Sequence, residues 1–397
     1  MKKKLTIGLI SHLVHDYNLG CSALAISNIA LMDEVFKAYD MEVEYVVLLP
    51  EPKGISDIDA YTSLEGITSN KYSYKTFPRL KPILKKPWLI KKVTAFDDCD
   101  FVVNLCGGDG YTDIYGMIRL LAESVPVYIA KSKKIPMLFA PQTIGPFNKT
   151  TGRIIAKHTL KKLDHLFVRD KSSFDCCSNL KLDKITTQVI DVAFALPFEK
   201  KTTESSKIKV GINVSGLLYN RDNYFNLSFS YKEFIDKIIK KMLSQGNYEV
   251  HLIPHVISET VPTDDDYRVC KEISEKYPDV TLAPKFDSPI DAKNYISAMD
   301  VFSGARMHST IGAISSGVPV IPVAYSRKFN GLYGTLEYPY MIDAKADITC
   351  DEAVNQFFEY VERREEMHNS VNRAREVYTE GLQKYKNEIA NCFHLSD

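Results

Sequence analysis

The sequence has no Cys-x-x-Cys pair, no unbroken apolar run of about 18 residues and no net charge, fifty basic side chains being matched by fifty acidic ones. Each shortage excludes something. Zero net charge argues against bulk nucleic-acid binding and leaves only local patches. The eight cysteines are scattered, with Cys176 and Cys177 adjacent, which suits neither a disulfide framework nor a zinc site and fits reduced cytoplasmic thiols. Without a long apolar run the chain is expected to span no membrane. The start M-K-K-K-L-T-I-G-L-I imitates a signal peptide, but His12, His15 and Asp16 interrupt it, and a first β-strand over 5–10 explains it better.

What is present is a soluble globular composition, 45% apolar and 25% charged, over 397 residues. That length exceeds one ordinary core and predicts two domains. Short apolar runs at 5–10, 43–49, 101–105, 135–140 and 165–168 alternate with helical stretches such as 22–39 and 114–123. This is the pattern of parallel βαβ units. A polar stretch, 199–206, separates the halves, and the same alternation restarts at 208–214, 231–244, 249–254 and 267–277. The expected fold is α/β: two Rossmann-like domains facing a cleft, over 1–200 and 207–349, followed by C-terminal helices over 350–397.

The most informative segment lies between Asp300 and Glu337, where thirty-six residues contain no acid but include Arg306, His308, Arg327 and Lys328. A strand ending near Phe302, a turn at Gly304, a helix over 309–316 and a strand over 318–324 place Arg306 and His308 at a strand-to-helix junction. Parallel α/β sheets hold anions there. Arg306 offers a planar fork, Lys328 a point charge, and Ser309 and Thr310 hydroxyls. His308 suits proton transfer, the alternative being a half-buried histidine that satisfies a turn. In a strand Arg306 and His308 share one face; once a helix has begun, the alignment is poorer.

Other junctions carry weaker signals. Gly107, Gly108 and Gly110 follow a buried strand and either approach a ligand or make a tight turn. Asp109 and Asp113 either accept from sugar hydroxyls, with Asp109 a possible base, or face solvent at a helix start. Gln142, Gly145 and His255 follow strands on the ligand-binding edge, and Arg169–Asp170 reads equally as a structural ion pair. His158, His165 and His368 read as packing or surface residues. No histidine–carboxylate spacing suggests a catalytic metal. Between Lys71 and Phe96 the chain carries eight Lys or Arg, no acid and interleaved Phe77, Leu84 and Trp88. That stretch reads as a solvated loop and helix or as a contact with the inner membrane leaflet.

Taken in order, several pieces resemble the polysaccharide pyruvyl transferase family. They are Asn18-Leu19-Gly20, Cys106-Gly107-Gly108-Asp109-Gly110, Pro141-Gln142-Thr143-Ile144-Gly145-Pro146 and Val168-Arg169-Asp170. Asp191, Ile253-Pro254-His255, Gly304-Ala305-Arg306-Met307-His308, Gly317-Val318-Pro319-Val320 and Tyr325-Ser326-Arg327-Lys328 complete the series. The resemblance implies a GT-B-like fold whose last helix crosses back to the first domain. It implies an enzyme that moves a pyruvyl group from phosphoenolpyruvate onto a lipid-linked or nucleotide-linked sugar as a ketal, with no cofactor and no nucleic acid. Donor contacts would fall to Arg306, His308, Ser309, Thr310, Tyr325 and Lys328, and acceptor contacts to Asn18, Gly20, Gly107, Gly108, Asp109, Asp113, Gln142 and His255. The chain departs from the family pattern at Cys21, where an acid is common, and in Gly-Gly-Asp-Gly, where three glycines are common. A nucleotide-sugar glycosyltransferase, disfavoured by the missing acid between 300 and 337, and a non-catalytic sugar- or anion-binding protein are the competing readings.

Overall fold

The computed structural model describes residues 4–51, 71–202, 205–221 and 225–395. Short runs dense in Val, Ile and Leu present no polar face, so they pair in parallel and are covered by helices on both sides. The chain folds into two units.

The first comprises Met1–His15, Leu24–Ala195 and Glu380–Asp397. Its strands are β1 (Lys4–Ile10), β2 (Glu42–Pro50), β3 (Lys71–Phe77), β4 (Phe101–Asn104), β5 (Met137–Gln142), β6 (His165–Val168) and β7 (Thr186–Gln188). They stand in the order β3-β2-β1-β4-β5-β6-β7, every neighbouring pair parallel. The helices up to the boundary are α1 (Leu19–Ala38), α2 (Leu80–Lys85), α3 (Leu89–Lys92), α4 (Met117–Lys133), α5 (Thr150–Leu160) and α6 (Lys171–Asn179). Strand β3 was expected as loop, because its Lys and Tyr alternate like an edge rather than a core. Helix α4 starts after Gly116 and runs through Pro126, a residue that ordinarily stops a helix and lies just past the expected end at Glu123.

The second unit comprises Asp16–Ala23 and Leu196–Thr379. It holds β8 (Ile208–Asn213), β9 (Tyr248–Leu252), β10 (Thr281–Leu282), β11 (Val301–Gly304), β12 (Val320–Ala324) and β13 (Ile342–Asp343), in the parallel order β10-β9-β8-β11-β12-β13. Helices α7 (Gly216–Asn220), α8 (Tyr231–Gln245), α9 (Asp266–Lys276), α10 (Pro289–Ile296), α11 (Met307–Ser315), α12 (Arg327–Thr335) and α13 (Cys350–Glu362) follow. The last helix, α14 (Arg364–Cys392), begins in the second unit and ends in the first. The contacts thus place 350–379 with the second unit, and Asp16–Ala23 there as well rather than with the first domain in which the sequence reading put it. In each sheet the strand order reverses once, between β1 and β4 and between β8 and β11. The carboxyl ends of strands at such a reversal are where open α/β sheets bind ligands.

Helix α1 is, among the described residues, long and apolar enough to cross a membrane, and 78% of its apolar window is buried inside the protein. In the first unit it helps to enclose a polar group. His12 Nδ1 lies 3.0 Å from the Ile10 carbonyl, Asn28 Nδ2 is 2.9 Å from His12 Nε2, and Tyr385 of α14 donates to Asn28 Oδ1 at 2.6 Å. Burial outweighs the bond to the Ile10 carbonyl and depresses the His12 pKa from 6.5 to about 4, so the ring is neutral when folded. The unfolded chain binds this proton at higher pH, so His12 contributes stability that is present above pH 6.5 and lost as pH falls toward 4. Denaturation at pH 7 and pH 5 is expected to show a lower midpoint at pH 5 and a smaller difference in His12→Gln; an equal difference in the variant would contradict the neutral ring.

Candidate active site

In the second unit, Gly304 ends β11 and Arg306 caps α11 with extended backbone (φ −95°, ψ 118°). The helix has therefore begun by His308, and Arg306 and His308 do not share a strand face. Their side chains engage different partners.

Arg306 is 11% exposed, and its fork is taken by two carboxylates. Nη2 donates to Asp264 Oδ1 at 2.6 Å, to the Asp264 carbonyl at 2.8 Å and to Asp266 Oδ1 at 2.8 Å, while Nε donates to Asp266 at 3.2 and 3.3 Å. Burial opposes the charge, but Asp266 and then Asp264 outweigh it and raise the Arg306 pKa above its ordinary value. The expectation that Arg306 clamps a ligand with its whole fork is corrected: only Nη1 makes no hydrogen bond among the described residues. The missing acid is likewise supplied, from the start of α9.

Asp266 has no exposed side-chain surface and joins three strand ends. It accepts from the backbone N–H of Gly216 after β8 (2.8 Å) and from those of His255 (3.2 Å) and Val256 (3.1 Å) after β9. Asn213, the last residue of β8, donates to it at 3.1 Å and accepts from the Arg306 N–H at 3.0 Å. This hub occupies the β8/β11 reversal. Sequence reasoning missed Asp264, Asp266 and Asn213; the only available signal was the run Asp264-Asp265-Asp266, which reads as ordinary acids at a helix start. Asp265 is the one with that role, accepting from the Tyr267 N–H at 3.0 Å.

His308 is half-buried in the first turn of α11 and is backed by Gly20. A Cβ on Gly20 would stand 2.3 Å from His308 Nδ1. The segment carrying Gly20 is pinned beside residues 255–257: Leu19 N–H donates to the His255 carbonyl (3.1 Å) and Ile257 N–H to the Tyr17 carbonyl (2.8 Å), while Asn18 bridges Val256. Asn18 Oδ1 accepts from the Gly20 N–H at 3.0 Å. Asn18, Gly20 and His255, expected to hold a sugar acceptor, therefore lie together in the second unit, with Gly20 against His308. His255 is buried, with Nδ1 unpartnered; burial first, then the charges of His308 and Arg306, depress its pKa to about 3 and keep it neutral. Gly20→Ala is expected to push the ring aside, the backbone staying in place, and to lower kcat about tenfold with little change in KM or thermal midpoint. An unaltered kcat would show that the ring's position does not matter.

Ser309 and Thr310 are fully buried and turn their hydroxyls onto the Arg306 (2.7 Å) and Met307 (2.7 Å) carbonyls of their own helix. They support the turn rather than present hydroxyls to a ligand. Tyr325 and Lys328 are half-buried at the start of α12, after β12, which pairs with β11. Their helix thus opens on the same sheet edge as α11. Tyr325 packs edge-on against Phe225, ring centroids 5.2 Å apart.

In the first unit, Cys106–Gly108 forms a tight turn after β4, with Gly107 at φ 64° and no atom within 4 Å of where its Cβ would be. Asp109 is half-buried and accepts from the Tyr115 hydroxyl at 3.0 Å. Asp113 is a structural cap: it is buried and accepts from the N–H groups of Asn148 and Lys149 (both 2.8 Å) at the start of α5, which corrects its reading as a sugar ligand. Gln142 is fully buried and donates to the Asn104 carbonyl at 3.1 Å, tying β5 to β4 beneath the turn, so it is not a surface contact for sugar. Gln142 Oε1 and Asn104 Nδ2 remain buried without partners. Arg169 forms the structural pair, with Asp191 at 2.7 Å.

Two parallel sheets of this kind, one per unit, define the GT-B class, and solved structures of that fold match over the whole chain. S. aureus MnaA bound to UDP is 13% identical, covers 100% of this chain and 98% of its own, and has a TM-score of 0.60. A putative UDP-N-acetylglucosamine 2-epimerase from Listeria monocytogenes is 12% identical with the same coverage and a TM-score of 0.63. Anabaena Alr3699/HepE in complex with UDP is 11% identical, covers 99% of both chains and has a TM-score of 0.60. At these identities the likeness is one of fold. A sequence model of the polysaccharide pyruvyl transferases matches residues 39–327, and the chain belongs to that family. No curated protein sequence matches it.

Proposed function

We propose that the protein transfers a pyruvyl group from phosphoenolpyruvate to a sugar of a surface polysaccharide or of its lipid-linked or nucleotide-linked precursor. Two sugar hydroxyls add to the central carbon of the enol, the methylene carbon takes one proton, and phosphate leaves with the other, giving a pyruvate ketal. The single observation that supports this reading is the setting of His308 at the β8/β11 reversal, on a helix start. An imidazole there carries a proton to or from a reacting group, and the opening turn of α11 favours an anion beside it. Lys328 supplies charge for the phosphate or carboxylate, and Arg306 retains Nη1 for the same purpose while chiefly anchoring the turn. Asp109 beside Gly107 is the candidate second base on the sugar side. The chemistry is acid–base throughout and calls for no resident cofactor or metal. The eight cysteines are free thiols, which suits a reducing compartment such as the cytoplasm.

Phosphoenolpyruvate is expected to raise the thermal midpoint. Phosphate release from phosphoenolpyruvate that depends on an added sugar acceptor completes the test. Stabilisation by UDP alone, with no phosphate released, would replace this reading with a nucleotide-sugar transferase.

A further inference from the structure

The chain as a whole is neutral, but one face of the first unit is not. Helices α2, α3, α4 and α5 together carry nine Lys or Arg and a single acid, Glu123. Glu123 is turned inward, where burial raises its carboxyl pKa. Right-handed crossovers put α4 and α5 on the same face of the sheet, because β4, β5 and β6 follow one another across it. Helices α2 and α3 pack against α4, and α4 against α5. The four thus form one continuous outer layer.

Nearby acids lie after β3 and the two short helices, where Asp98 pairs with Lys75 and Asp97 with Lys133 at 2.8 Å. Lys81, Lys85, Lys86, Lys91, Lys92 and Lys131 are exposed and form no ion pair among the described residues. Large apolar side chains stand out among them: Leu84 is 61% exposed, Trp88 58%, Ile118 78% and Ile154 63%. Trp88, Pro87 and Ile90 line a shallow groove with Tyr128 and Lys131 of α4. Solvated helices rarely expose apolar groups of this size together, and unpaired lysines around them match a surface that is negative outside and apolar within.

We propose that this helical layer rests on an anionic lipid bilayer. Leu84, Trp88, Ile118 and Ile154 enter the headgroup layer, where tryptophan is favoured, and the lysines meet acidic phospholipid headgroups. Joined to the proposed reaction, and resting on it for this step, the contact makes the acceptor a lipid-linked sugar met at the membrane surface.

The test is sedimentation of the full chain with phosphatidylcholine vesicles, with and without about 30 mol % phosphatidylglycerol. Partition onto the acidic vesicles is expected to exceed that onto neutral ones about tenfold and to fall at high salt. Reversing Lys85, Lys86, Lys91 and Lys92 to Glu should bring it to the neutral level. The variant Leu84→Ser/Trp88→Ala/Ile118→Ser/Ile154→Ser should weaken it about tenfold at an unchanged thermal midpoint. Absence of binding, equal binding to both vesicles or retention by the charge-reversed protein would overturn the proposal. Full partition of the apolar variant would overturn it too, marking a polyanion site instead. Phosphate release with a soluble sugar is followed in parallel and should be unaffected by these variants. Turnover without vesicle binding removes only the membrane contact, and vesicle binding without turnover removes only the reaction.

Discussion

Replacing His308 with alanine is expected to lower turnover about a hundred- to ten-thousand-fold, the usual contribution of one positioned acid–base group. The expectation follows from how little else in that corner of the second unit can move a proton. His255 is next to it but is held neutral by burial, with its pKa depressed to about 3. Arg306 keeps its proton at any working pH, because Asp266 and Asp264 stabilise its charge. Lys328 supplies charge at the neighbouring helix start. The His308 ring is half-exposed, at a helix start and backed on one side by Gly20. The measurement is phosphate release from phosphoenolpyruvate at saturating acceptor, with the thermal midpoint as a check that the fold survives. A variant with wild-type kcat would remove His308 from the mechanism and leave the acid–base step to the first unit, with Asp109 the next residue to change.

The second large effect is expected on stability. Asp266→Ala strips the anchor from Arg306, Asn213 and three backbone N–H groups together. A buried guanidinium left with half its counter-charge, and unsatisfied donors beside it, cost about 3–5 kcal/mol in comparable cases. Asp264 softens the loss, since it still accepts from Arg306 Nη2. Urea denaturation of the two proteins measures the difference. Restoring shape but not charge, in Asp266→Asn, should recover only part of it, because the amide places a donor against the guanidinium. A cost below about 1 kcal/mol would mean that Arg306 finds other partners and that the hub does not hold the strand ends together.

The sequence shows the alternation of strands and helices plainly, because parallel strands are buried on both faces and stand out as apolar runs between glycines and polar turns. The junction at Gly304–His308 is legible for the same reason. What the chain hides is partnership across distance. Arg306 lies forty residues from Asp266 and forty-two from Asp264, so a charge count along the linear segment sees a free cation where the fold has an ion pair. Asp113 misleads in the same way: an acid ahead of a helix reads as solvent-facing, yet it serves the next helix, thirty-five residues on. Asn18 and Gly20 announce themselves as a motif without saying which unit they join, which depends on pairing with residues 255–257. Strands β10 and β13 escape notice because two residues carry no periodicity.

The chain passes from one unit to the other at 15/16, 23/24, 195/196 and 379/380. Neither unit is therefore a single stretch of polypeptide that a ribosome finishes before starting the other. A fragment ending near residue 200 would lack Tyr385 and the rest of the closing helix, and would carry Asp16–Ala23 without the strand ends they pack against. The surroundings of His308 are complete only after residues made first and residues made much later have met, so they are assembled late in the life of the new chain. The two halves of this protein are best recombined, swapped with relatives or expressed separately only after the chain has been rewired to make each unit contiguous.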